Sequence, residues 1–151
     1  MDDTTPEGRR ARLIADLQER TIYDLVGGAA GVRALVDDFY DLMDGDVRFA
    51  DIRTMHATDL GPMRIGLFEY LSGWLGGPQL FIERHGSPCI ARAHAPYSIG
   101  QRERDLWLEC MDDALVMTGI GLGIREALMP AFGNVADMMR NDHLTAGARP
   151  H

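Results

Sequence analysis

The 151-residue, 16.7-kDa chain has the length of one domain, and its 46% hydrophobic and 25% charged residues are typical of a globular protein. The net charge is −8 and the chain contains no Lys, so an acidic surface argues against nucleic-acid binding. Apolar runs are too short to span a membrane, no secretory signal is expected, and two well-separated cysteines favour a reducing cytoplasm over a disulfide framework.

Apolar residues recur at three- and four-residue spacing along the chain, which predicts helices throughout. Residues 1–20 are predicted to form a surface helix or a frayed arm, and residues 21–26 a short helix that ends at Gly27-Gly28. A longer helix follows, and its apolar positions form a single stripe. The stripe consists of Val32, Leu35, Val36, Phe39, Tyr40 and Met43.

The middle of the chain is predicted to contain one helix and one long loop. Asp59 is expected to cap the helix, which ends at residues 76–78. Residues 79–98 are interrupted by Gly86, Pro88 and Pro96, so we expect an irregular loop with one short helix at about residues 89–94. A loop of this length in a small domain is commonly functional.

Two further helices are predicted in the C-terminal part. The first begins at Gln101 and ends at Gly119, and the second is either entered through Met129-Pro130 or kinked there. Residues 142–151 are predicted to be disordered. The fold class predicted from the pattern is therefore all-α.

A few polar side chains occupy positions from which chemistry could arise. His94 ends the short predicted helix and could bind a metal through a ring nitrogen, although a structural histidine is the more common case. Tyr40 and Trp107 lie on apolar helix faces, where each is either a core aromatic or a polar donor aimed at a ligand. Gly119–Gly123 lacks the spacing of a dinucleotide-binding loop.

Several segments together resemble the group II truncated haemoglobins, over residues 21–141. The resemblance leaves an N-terminal arm at residues 1–20 and a tail at residues 142–151 outside the domain. The segments that carry it are YDLVGG at 23–28, Phe39-Tyr40, LSGWLGGP at 71–78, HAPY at 94–97 and ERDLWLECM at 103–111.

The resemblance implies a two-over-two helical sandwich around haem b. It implies that His94 bonds the haem iron and that Tyr40, His56 and Trp107 are the polar residues of the ligand side. Other residues are expected to contact the cofactor. On the helix that follows Asp59 these are Met63, Leu67 and Tyr70, and against the macrocycle they are Phe81, Ile90, Tyr97 and Ile99.

The sequence departs from the family pattern near the expected axial ligand. Cys89, Ala91 and Ala93 replace residues that are commonly basic in related sequences, and Gly66 stands where a basic residue often reaches a haem carboxylate. The carboxylates are therefore expected to be held by Arg92, Arg64 or Arg84, or to be left to water.

The function implied by the resemblance is binding of O2, CO and NO, as an oxygen carrier or oxygen-transport protein, with NO dioxygenation or peroxide chemistry as further activities. The expected partners are these gases and an unidentified reductase, without nucleic acid or membrane, in a cytoplasmic monomer or homodimer. Two alternatives stay open: a gas-sensing or delivery module that acts through a partner, and a structural descendant that binds haem poorly.

Overall fold

Helices form the architecture of the computed structural model, which describes residues 2–87 and 89–142. No strand occurs in these residues. A 3-10 turn at Val47–Phe49 lies between the third and fourth helices. The helices are α1 (Pro6–Asp16), α2 (Ile22–Leu25), α3 (Gly28–Gly45), α4 (Ala50–Arg53), α5 (Gly61–Trp74), α6 (Leu80–His85), α7 (Ile90–His94), α8 (Gln101–Thr118) and α9 (Leu122–Met139).

Four long helices make the frame of the fold. Helix α3 packs against α8 and against α5, and α8 packs against α9, so the frame is two helix pairs laid across each other. The apolar stripe predicted for α3 is buried as a whole, and it meets a stripe of α8 in one core. The α8 stripe consists of Cys110, Met111, Ala114 and Leu115. The all-α, two-over-two prediction is therefore confirmed.

The ends of the frame helices follow local rules. Helix α8 begins where the Gly100 N–H donates to the Glu103 carboxylate at 2.8 Å, and it ends at Gly119, which has a left-handed φ of 89°. The last helix does not begin at Met129-Pro130, which was one of the two predicted alternatives. Helix α9 begins at Leu122 and contains Pro130 in its interior. The predicted cap at Asp59 is off by one residue, because the N-cap position of α5 is occupied by Leu60. The Asp59 carboxylate nevertheless accepts a hydrogen bond from the Gly61 N–H at 2.9 Å.

The predicted irregular loop at residues 79–98 is partly wrong. The short helix near residues 89–94 is present as α7, but residues 80–85 also form a helix, α6. Helix α6 forms because the six residues Leu80–His85 precede the first interruption at Gly86 and because the helix packs against α5. Gly86 ends α6 with φ 80°.

Helix α1 precedes the frame and packs on α9. Its first turn is capped by Thr5, whose hydroxyl accepts from the Gly8 N–H at 3.0 Å. Leu13 is buried, and Arg9 pairs with Glu126 of α9 at 2.6 Å. The expectation of a disordered tail concerns residues 142–151, of which 143–151 lie outside the described residues. Among the described helices, none combines the length and apolarity that crossing a membrane requires.

Candidate haem site

A cavity of about 420 Å³ lies between the frame and the short helices α6 and α7. Its walls are mainly apolar, with a few polar groups, as is typical of small-molecule sites. The structure brings ten of the sequence-predicted site residues to this cavity. They are Tyr40, His56, Met63, Leu67, Tyr70, Phe81, His94, Tyr97, Ile99 and Trp107.

Two predicted site residues, Arg92 and Ile90, are not among these ten. Arg92 is exposed on α7 and does not line the cavity, because its neighbours Ala93 and His94 occupy the face of α7 that does. The side chain of Ile90 lies outside the described part of the structure. A role for Arg92 in holding a ligand would therefore require its side chain to reach around from the outer face of a five-residue helix.

Tyr40 reaches the cavity from the apolar stripe of α3. Its side chain is only 6% exposed, and the ring packs edge-on against Phe39 with centroids 5.0 Å apart. Burial raises the pKa of the Tyr40 hydroxyl well above its ordinary value, so the group is a neutral O–H donor. This hydroxyl has no hydrogen-bond partner among the described residues.

Trp107 reaches the same cavity from α8. Its ring is fixed by edge contacts to Phe39 and Phe132, at centroid distances of 5.5 and 5.9 Å. The indole N–H also lacks a hydrogen-bond partner within residues 2–87 and 89–142. Two rigid donors, one on each of two crossing frame helices, therefore border the cavity with their hydrogen-bonding capacity unused.

His56 lies after α4, and one of its ring nitrogens is already hydrogen-bonded within the protein. Nδ1 is 2.8 Å from the backbone carbonyl oxygen of Ile52. A carbonyl can only accept, so in the neutral ring the proton is on Nδ1 and Nε2 carries a lone pair. Burial lowers the pKa of His56 below its ordinary value, which favours this neutral form.

His94 is the last residue of α7, and its half-buried imidazole lines the cavity. The position is defined by the turn that follows, in which the Tyr97 N–H donates to the His94 carbonyl at 3.1 Å. Pro96 prevents α7 from continuing. A histidine presented in this way is a ring-nitrogen donor suited to a metal in a mainly apolar surrounding.

Arg64 and Arg84, which were expected to hold haem carboxylates, do not line the cavity, and both are engaged by carboxylates of the protein itself. Arg64 pairs with Asp37 at 3.0 Å and with Asp41 at 2.7 Å, and Arg84 pairs with Glu69 at 3.2 Å. The expectation that these two arginines hold haem carboxylates therefore competes with existing ion pairs.

Sequence reasoning missed several residues of the cavity. Glu103 and Arg104 line it from α8, and Arg104 is paired with Asp137 at 2.7 Å. The α9 residues Phe132, Val135 and Met139 also line it. The only signal in the sequence was the apolar spacing of α9, which marks a buried face without indicating whether that face meets a core or a cavity.

Comparison with known proteins identifies the family. The bacterial-like globin family matches residues 21–141. A group 2 truncated hemoglobin of Bacillus subtilis, YjbI, is 34% identical over 94 residues, or 62% of this chain and 69% of the relative. A cold-adapted truncated hemoglobin of Pseudoalteromonas haloplanktis superposes with a TM-score of 0.78 at 40% identity, over 81% of this chain and 98% of that one.

A second similar structure is that of a truncated oxygen-avid haemoglobin of Bacillus subtilis, with a TM-score of 0.72 and 31% identity over 81% of this chain and 100% of that one. The chain therefore belongs to the bacterial-like globins, as a group II truncated haemoglobin. Membership implies a haem cofactor with iron and binding of gases at that haem.

The residues present fit a haem. The cavity offers mainly apolar walls, aromatic rings from Tyr70, Phe81 and Tyr97, and one imidazole from His94. Its polar groups are few, and Cys110, whose thiol donates to the Phe39 carbonyl at 3.3 Å, is buried away from it. The weak point of the fit is the carboxylate edge, where Gly66 and Ala93 line the cavity without offering a cation.

Proposed function

We propose that the protein binds O2 at its haem and holds it through Tyr40 and Trp107, with His94 as the axial ligand of the iron. The haem would supply an open coordination position for a diatomic gas. The observation that carries the proposal is that the Tyr40 O–H and the Trp107 N–H both border the cavity without a partner among the described residues.

The chemistry of the ligand accounts for these two donors. O2 held at a ferrous haem would carry partial negative charge, so a donor such as the Tyr40 O–H or the Trp107 N–H would form a charge-assisted hydrogen bond to it, stronger in a mainly apolar cavity than in water. CO carries less charge on its outer atom and gains less. Two donors on rigid helices should thus favour O2 over CO and slow the release of O2. A similar haemoglobin of Bacillus subtilis is described as oxygen-avid.

Substitution of the donors tests this proposal. If each donor contributes about 1.5–3 kcal/mol to holding O2, Tyr40→Phe and Trp107→Phe should each speed O2 dissociation roughly ten- to a hundredfold. CO dissociation should respond less. The double variant should be non-additive, because both donors serve one ligand. Tyr23→Phe is the matched control, since Tyr23 does not line the cavity.

Stopped-flow displacement of O2 gives the answer directly. Release rates within twofold of the wild type in both single variants would mean that the hydroxyl and the indole face elsewhere when haem is present. His94→Ala tests the axial ligand independently, by pyridine haemochromogen titration. Full haem content with unchanged ferrous spectra would rule His94 out.

Slow release of O2 from the cavity favours reaction over delivery. We extend the proposal to NO dioxygenation, in which NO and the held O2 combine with one electron to give nitrate, and the electron comes from a reductase. Two free cysteines, Cys89 exposed and Cys110 buried, support the reducing cytoplasm as the location. Nitrate formation in stoichiometric proportion to NO consumed, in air and with a reductant, is the expected result.

A further inference from the structure

Helix α7 carries the proposed iron ligand, and it packs against α9. It has five residues, too few to be stable alone, and the side chains of residues 91–93 are exposed. The chain after it, residues 95–98, is exposed as well. The position of His94 must therefore be fixed by contacts from another element.

Asn141, just beyond the end of α9, supplies such contacts. Its Nδ2 donates to the carbonyl of His94 at 3.3 Å and to the carbonyl of Tyr97 at 2.5 Å. Its Oδ1 accepts from the Ile99 N–H at 2.9 Å, and its own N–H donates to the Ile99 carbonyl at 2.9 Å.

The arrangement requires an amide. The two backbone carbonyls need a donor and the Ile99 N–H needs an acceptor, so the orientation of the Asn141 amide follows from its partners. A carboxylate would place negative charge against two carbonyl oxygens, and a hydroxyl is too short to serve three groups. Ile99 then packs with Ala136 and Met139 of α9, so the segment is joined to α9 by both hydrogen bonds and apolar contact.

We infer that Asn141 is a positioning residue for His94: its amide ties the exit of α7 to α9 and so sets where the imidazole stands at the haem. The inference rests on the proposed role of His94 as iron ligand. Asn141 acts through the backbone of α7 and does not touch the cofactor cavity. The position of the His94 imidazole relative to the iron therefore depends on the end of α9.

Two variants separate the functions of the amide. Asn141→Asp retains an oxygen for the Ile99 N–H but loses the donors to His94 and Tyr97, whereas Asn141→Ala loses all side-chain bonds. Arg140→Ala is the matched control, because Arg140 bonds Gln101 and Asp142 at the same end of α9 but not residues 94–99.

Resonance Raman spectra of the ferrous, haem-loaded protein report on the bond between His94 and iron. We expect a shifted or broadened iron–histidine band in both Asn141 variants and haem transfer to apomyoglobin roughly three- to thirtyfold faster, with neither change in Arg140→Ala. Hydrogen exchange at the Ile99 amide should accelerate in Asn141→Ala and stay slow in Asn141→Asp.

Wild-type Raman bands and transfer rates in both Asn141 variants would overturn the inference, and so would an equal effect in Arg140→Ala. The His94→Ala variant keeps this result separate from the proposed function. If His94→Ala loses haem while the Asn141 variants behave as wild type, only the positioning role is wrong. If His94→Ala keeps its haem and spectra, the axial ligand and the positioning role fall together.

Discussion

His56 is the residue of the cavity whose charge can change near neutral pH. Its Nδ1–H is held by the Ile52 carbonyl, so neutral His56 presents a lone pair at Nε2. Burial lowers the pKa of this histidine, outweighing the Ile52 hydrogen bond, which raises it. The neutral ring is thus favoured at neutral pH, and Nε2 gains a proton only on acidification.

The expected consequence is an O2 dissociation rate that depends on pH. Protonated His56 becomes a third donor, and a charge-assisted bond of about 1.5–3 kcal/mol should slow O2 release about tenfold or more between pH 8 and pH 5. Stopped-flow measurements across this range test it. His56→Phe should give a flat profile, and a wild-type rate that is constant with pH would show that Nε2 does not meet the ligand.

Ala93 is the position at which a basic side chain is expected to contact the haem carboxylates. It is exposed and lines the cavity, and the resemblance noted in the sequence implies a basic residue at this position. Ala93→Arg would place a guanidinium at that edge, and an exposed ion pair of about 0.2–1 kcal/mol should slow haem transfer to apomyoglobin roughly 1.5- to 5-fold. Added salt should reduce the gain.

The control for this prediction is Ala91→Arg. Ala91 is exposed on the same helix but does not line the cavity, so this variant changes the net charge equally without a new contact. Equal slowing by both variants would trace the effect to overall charge, and no slowing by Ala93→Arg would mean that the carboxylates lie elsewhere.

At the scale of elements, the two glycines after α5 explain a motif of the sequence. Gly76 has φ 97°, a left-handed conformation. A Cβ on Gly77 would lie 2.5 Å from ring carbons of Tyr23, whose N–H donates to the Leu75 carbonyl at 2.9 Å. The turn between α5 and α6 therefore docks on α2 only because no side chain intervenes.

Gly77→Ala should destabilise the protein through this overlap. Overpacking of a tight contact costs about 1–3 kcal/mol, so the expected fall in Tm is roughly 3–10 °C. Thermal unfolding followed by circular dichroism measures it. Gly45→Ala is the control, because a Cβ there meets nothing within 4 Å. An unchanged Tm in Gly77→Ala would show that Tyr23 moves aside without cost.

The elements differ in how far the sequence could predict them. Helix α3 was predictable because the stripe from Val32 to Met43 has helical spacing and is buried as a unit. Helix α6 was not predictable, because the seven residues between Pro78 and Gly86 carry too little periodicity to separate a helix from a loop. Its stability comes from α5, through contacts such as the Tyr70 and Phe81 rings, 6.1 Å apart.

The site shows the same division. Tyr40 and Trp107 could be found because polar groups on apolar faces are unusual, but periodicity alone could not say whether they met a core or a ligand. Asn141 could not be found, because its partners His94, Tyr97 and Ile99 are more than 40 residues away. The hydrogen bonds of Asn141 form only when folding places the end of α9 beside α7.

At the scale of the whole molecule, residues 21–141 contain every described residue that lines the cavity. Helix α1 lies outside this part and packs on α9 through Leu13, which is 8% exposed, and through the pair of Arg9 and Glu126. It contacts the side of the frame that does not border the cavity. The globin part should consequently hold its haem without α1.

Deletion of residues 1–20 tests this organisation. The loss of Leu13 burial should lower the stability by about 1.5–3 kcal/mol, with a fall in Tm of roughly 3–12 °C, while ferrous spectra and O2 dissociation stay as in the full chain. Leu13→Ala should reproduce part of the loss, and Ile14→Ala, at an exposed position of the same helix, should not. A deletion variant that loses haem or releases O2 at a different rate would show that α1 sets the position of α9, which lines the cavity with Phe132, Val135 and Met139.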